Sequence, residues 1–130
     1  MPSPAVKTQK DDLDKLLDKI KHSSEELDKL IKETTARKDA ALDAKKFELA
    51  HRCDALIDKY GLQQMILTRA HLRTIDNSQE IKGAIEGFGD VTKQIKATIE
   101  QNEQLTKFLN AAASIAGIMD HWIGLFLLAA

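Results

Sequence analysis

The sequence predicts an all-α protein, either an elongated helical hairpin or an antiparallel helix bundle, with coiled-coil-like seams and a hydrophobic C-terminal helix. Three observations carry that expectation. Apolar residues recur at spacings of three, four and seven along most of the 130 residues, the period of helices that bury one stripe. Charged residues make up 30% of the chain and aromatics 5%, with 2 prolines and 6 glycines, which suits helices and argues against sandwiches and barrels. Charge density also falls along the chain. Residues 1–60 hold 13 basic and 13 acidic side chains, residues 61–110 hold 6 and 6, and residues 111–130 hold Asp120 alone. Three regions follow: an irregular arm over 1–7, a charged helical hairpin or bundle over 8–110, and an apolar helix of membrane length over 111–130.

The arm holds both prolines, which places it outside regular structure. From Thr8 a seam runs through Leu13, Leu17, Ile20, Leu27 and Ile31, with Ser24 and Thr34 as polar interruptions. Five acid-before-base pairs at i,i+4 support it: Asp11–Lys15, Glu25–Lys29, Asp28–Lys32, Glu33–Arg37 and Glu48–Arg52. Ser23 and Glu26 have the spacing of a capping box, but the seven-residue step from Ile20 to Leu27 favours one continuous helix. After an alanine-rich stretch the seam resumes at Leu42, Leu49, Cys53, Leu56 and Tyr60, and Gly61 is placed as a C-terminal cap. A first helix over 8–60 would be about 80 Å long if straight. It must bend or break, or the protein is elongated.

A second helical stretch covers Leu62 to Ile75, and Asp76-Asn77-Ser78 reads as a turn with Ser78 as the next N-cap. A further seam comprises Ile81, Ile85, Phe88, Ile95, Ile99 and Leu109, with Thr92 and Asn102 between. Gly83, Gly87 and Gly89 fall within it, each costing about 1 kcal/mol relative to Ala in a helix interior. Their clustering predicts a kink, a break or a hinge.

The last twenty residues, AAASIAGIMDHWIGLFLLAA, span ~30 Å as a helix, the thickness of a bilayer's hydrocarbon core. Ala113, Gly117, Asp120 and Gly124 share one face, small enough for another helix to approach closely. Ile115, Met119, Trp122 and Phe126 form the opposite, lipid- or core-facing side. In a membrane, Asp120 would turn toward a helix interface or a pore. In a bundle, the same segment would be a buried central helix.

No chemistry stands out. Glu48 and His51 have the Glu-x-x-His spacing of di-iron bundles, but the chain has no second copy. Asp18, His22 and Glu26 share a helical face and read as a solvated stripe, while His51 and Cys53 diverge around the helix. The lone Cys53 excludes an internal disulfide. A formal charge of −1, with bases and acids interleaved, gives no nucleic-acid surface. The protein is expected to be non-enzymatic, with no metal, cofactor or evident small-molecule substrate.

The function expected first is therefore membrane activity: the apolar C-terminal helix inserts into or anchors to a lipid bilayer and oligomerises in pore-forming fashion. In outline such a chain resembles α-helical pore-forming toxins, phage holins and tail-anchored proteins. It matches no motif of these families, so no functional residue carries over. The alternative is a soluble, non-enzymatic adaptor or structural protein, its C-terminal helix buried in an oligomer or partner interface. Both readings expect a homo-oligomer, since narrow seams leave apolar surface wet. With no signal peptide visible, the expected location is at a membrane, or passing from water to one, and otherwise cytoplasmic.

Overall fold

The computed structural model describes residues 4–69, 71–72, 78–101 and 104–128. Four helices carry the fold: α1 (Pro4–Asp43), α2 (Phe47–Arg69), α3 (Ser78–Glu100) and α4 (Leu105–Phe126). A two-residue antiparallel backbone pairing joins β1 (His71–Leu72) to β2 (Leu127–Leu128), with His71 opposite Leu128. The class is the all-α one expected.

The helix starts and stops differ from the expected ones in instructive ways. The irregular arm is already helical from Pro4, because proline's fixed φ and missing N–H suit a first helical turn. α1 then runs unbroken through Ser23–Glu26. It stops at Asp43 rather than continuing to residue 60. Lys45 takes a left-handed φ of 59°, its N–H donates to Leu42 O at 3.0 Å and the Lys46 N–H donates to Ala41 O at 2.8 Å. That pair of bonds is the Schellman termination, usually built on glycine. Gly61, expected to end the helix, instead lies inside α2, and no described glycine has a positive φ. α3 begins at Ser78 and passes without a break through Gly83, Gly87 and Gly89. The interruption expected there is absent. The turn residues Asp76 and Asn77, and Asn102 of the expected seam, lie outside the described residues.

Side-chain contacts between the helices fix their directions. Lys38 pairs with Asp54, and Gln64 Nε2 donates to Ser24 O, so α1 and α2 are antiparallel. Ser23 meets Thr92 while Arg37 reaches Gln101 O, so α1 and α3 run parallel. Tyr60 and Gln63 of α2 bond to Ala112 and Ala116 of α4, making that pair parallel as well. α3 and α4 return antiparallel, with Gly87 against Trp122. Two hairpins thus lie side by side: α1 packs on α2 and α3, and α4 packs on the same two. The bundle alternative is the one realised.

The core explains the sequence pattern better than the expected seam did. Leu16, Ile20, Ser23, Leu27, Leu30 and Thr34 are buried at strict 4-3 spacing, while Leu17 is 51% exposed. The polar members cost little because each hydroxyl finds a carbonyl one turn back. Ser23 Oγ donates to Lys19 O at 2.9 Å, Thr34 Oγ1 to Leu30 O at 2.7 Å, and Thr92 Oγ1 to Phe88 O at 3.0 Å. Of the five expected i,i+4 pairs, Asp28–Lys32 and Glu33–Arg37 form. Glu25 instead faces His22, Lys29 pairs with Glu26, and Arg52 bonds to Asn110.

The membrane-active reading is overturned here. Among the described residues no helix is long and apolar enough to cross a membrane. Residues 111–126 are not a separate helix, since they continue α4 from Leu105, and β2 follows at Leu127. Ile115 and Met119, with Phe108, Leu109, Ala112 and Ala116, are buried in the bundle core. An apolar inner face inside a bundle needs no lipid to cover it.

Candidate functional site

The face shared by α2 and α4 carries the small-residue set singled out in the sequence, Ala113, Gly117, Asp120 and Gly124. Its inner side is held by polar ties to the α4 backbone. Buried Tyr60 donates its hydroxyl to Ala112 O at 2.7 Å, and buried Gln63 donates Nε2 to Ala116 O at 2.8 Å. Burial pushes the Tyr60 phenol well above its ordinary range, so it stays a donor. Gln63 Nε2 also reaches Asp120 Oδ1 at 2.9 Å, leaving Gln63 Oε1 buried and unpartnered.

Asp120 sits where α2 and α4 meet. Lys59 Nζ lies 2.5 Å from its Oδ2. Partial burial works to raise this carboxyl, but the hydrogen bonds from Lys59 and Gln63, with the charge of Lys59, outweigh it. The carboxyl is held below its usual range and stays ionised. Its partners in the structure are Lys59 and Gln63 of the same chain.

Around this pair the small residues stay open. Ala113, Gly117, Asp120 and Gly124 are all exposed, and a Cβ added at Gly117 or Gly124 would meet nothing within 4 Å. Two large apolar side chains on the same helices are also open: Leu62, within the Lys59–Gln63 turn, is 50% exposed, and Leu125, next in sequence to Gly124, is 49% exposed. Of the bulky set, Ile115 and Met119 are core, and Trp122 is half-buried between Phe88 and His121. The Phe126 side chain lies outside the described residues. Of the glycines expected to act as a hinge, Gly87 has a packing role, while Gly83 and Gly89 face open space.

The chemical constellations do not assemble. Glu48 and His51 are both exposed, and Asp18 and His22 are exposed while Glu26 is buried with Lys29 3.0 Å from its Oε1. Cys53 is buried, and that burial pushes its thiol up, leaving it an inert core residue. Among the described residues no three His, Cys, Asp or Glu side chains are placed to hold a metal ion. Sequence reasoning missed Lys59, Tyr60 and Gln63 as the residues that engage α4. The spacing Tyr60–Gln63–Leu67 continues the seam, but a glutamine at a seam position reads as polar surface. No protein-family model, curated protein or solved structure matches the chain.

Proposed function

We propose that the protein is a non-enzymatic helical-bundle adaptor or structural protein that works through its α2/α4 face, with a second copy of the chain as the partner. What supports this is the exposure on those two helices: α2 and α4 carry half-exposed Leu62 and Leu125 together with an open strip of Ala113, Gly117 and Gly124. Small residues let a facing helix come close, and exposed leucines on the same helices supply the apolar area that makes association favourable. The same face carries both Lys59 and Asp120. Under a two-fold axis each charge can meet its opposite in the other copy, so the surface is self-complementary.

The test is sedimentation of the full chain at ~100 μM, since exposed apolar patches mark association surfaces. The reading expects a dimer or larger species that Leu62→Glu and Gly117→Glu each dissociate, with helical content unchanged by circular dichroism. A monodisperse wild-type monomer would remove the second copy as partner.

A further inference from the structure

The opposite side of the bundle, between α1 and α3, is chemically different. A groove of about 500 Å³ opens there, lined by Lys19, His22, Ile85, Gly89, Lys93 and Lys96, with Thr92 at its base. A lobe of about 200 Å³ shares Lys19, His22 and Ile85 with it and adds Lys15 and Asp18. The groove exists partly because residue 89 has no side chain: a Cβ there would meet nothing within 4 Å. Its base is polar, since Thr92 Oγ1 lies 3.3 Å from Ser23 Oγ.

The lysines are placed against ordinary surface logic. Lys15 and Lys19 are one helical turn apart on α1, and Lys93 and Lys96 are one turn apart on α3, spacings at which like charges repel. Elsewhere Lys29, Lys32, Lys38 and Lys59 pair with carboxylates. Among the described residues none of the four groove lysines has a carboxylate within ion-pair distance. Asp18, Glu86 and Asp90 also border the groove and are exposed. The lining therefore keeps a one-charge excess of cations, on a chain whose formal charge is −1.

We propose that the α1/α3 groove binds a polyphosphate group, inorganic or carried by a nucleotide. A singly charged anion can engage the lysines of one wall only, whereas a chain of phosphates is long enough to offer charge to Lys15 and Lys19 on α1 and to Lys93 and Lys96 on α3 at once. An ammonium is a compact charge with three donors and bonds phosphate oxygens in any orientation. The volume lies within the range of small-molecule sites, about 300–1,000 Å³. Ile85 is the one apolar wall, placed to take a nucleoside if one is attached. The site is on different helix pairs from the α2/α4 face, so it stands or falls apart from that reading.

The experiment is a titration of the ¹⁵N-labelled full chain, with sodium tripolyphosphate in one arm and ATP without divalent metal in the other. Saturable shifts are expected over residues 15–22 and 85–96. Lys19→Ala combined with Lys93→Ala should weaken binding by about tenfold or more, since a hydrogen bond to a charged group contributes that much. Gly89→Leu should fill the groove and weaken binding while retaining helical content, and Lys107→Ala should change nothing. Tighter binding of ATP assigns the site to a nucleotide, and equal binding assigns it to the phosphate chain alone. Unsaturable shifts, shifts spread to Lys45, Lys46 and Lys107, or wild-type affinity in the double variant would each overturn the proposal.

Discussion

The indole of Trp122 in α4 lies directly on the α3 backbone at Gly87, so close that a Cβ on residue 87 would overlap Cε2 and Cζ2 of the ring. The contact sets how near α3 and α4 come at this level. Phe88 lies beside it, tilted by 44° with 6.3 Å between ring centroids, and His121 packs edge-on at 5.5 Å. Gly87 is thus retained for space, with no demand on φ.

Gly87→Ala should therefore destabilise the protein although residue 87 is helical. The helix-propensity gain of about 1 kcal/mol is set against overpacking at about 1–3 kcal/mol. Gly83→Ala and Gly89→Ala meet no neighbour and should stabilise by about 0.4–1 kcal/mol. Urea midpoints of the three variants check this. Equal shifts for all three would mean the indole yields at no cost.

Lys45→Gly should stabilise the turn between α1 and α2. A non-glycine residue at a φ of 59° carries a steric cost of about 1–2 kcal/mol, offset in part by glycine's larger unfolded-state entropy. A net gain near 0.5 kcal/mol is expected by the same balance. Thermal unfolding of the variant measures it, and a loss would show that the lysine side chain contributes contacts of its own.

The class and the heptad character of the chain were legible in its sequence because period alone reveals a buried stripe. The phase was less so. Leu13 and Leu17 look as good as Leu16 on paper, and only the presence of both α2 and α3 against α1 decides that Leu16 is fully buried and Leu17 is not. The break at Lys45 was hidden because the left-handed residue is not glycine. Gly61 and the three glycines of α3 suggested ends and hinges that tertiary packing overrides. Apolar composition over the membrane length of 111–130 does not distinguish a bilayer from a four-helix core, which needs such an inner face equally. The α1/α3 groove was invisible, since Lys15 and Lys19 come to line one groove with Lys93 and Lys96 only once α1 and α3 pack side by side.

Acid should loosen the α2/α4 tie late. The Asp120 carboxyl is held below its ordinary value, so its contribution is present above the usual carboxylate pKa of about 3.9 and is lost as pH falls through the lowered one. Lys59 and Asp120 are 41% and 46% exposed, which keeps their coupling at or below about 1 kcal/mol. A double-mutant cycle with Lys59→Met and Asp120→Asn should show that coupling at pH 7, with a decline that starts at about pH 3.9 and is complete only below the lowered value. Lys38 behaves oppositely. Its hydrogen bond to Asp54 raises the amine against partial desolvation, so that contribution is present below about pH 10.4 and is lost as pH rises through the raised value.

Arg37 closes the far end of the bundle, and lysine should not replace it. Its guanidinium lies 4.1 Å from the Phe108 ring centroid, Nε donates to Glu33 at 3.0 Å, and a terminal nitrogen meets Gln101 O at 3.4 Å. One planar fork therefore ties α1 to the end of α3 and to α4, beside a pocket of about 200 Å³ that also involves Ala40, Ala41 and Leu105. An ammonium keeps the charge but cannot stack flat on the ring while donating in two directions. A partly buried cation–π contact contributes about 0.5–2 kcal/mol, so Arg37→Lys should destabilise by roughly 1 kcal/mol. Hydrogen exchange should quicken at residues 97–101 and 105–109, while residues 59–64 keep their protection. Faster exchange spread evenly over all four helices would mean that Arg37 contributes to global stability without holding this end in particular.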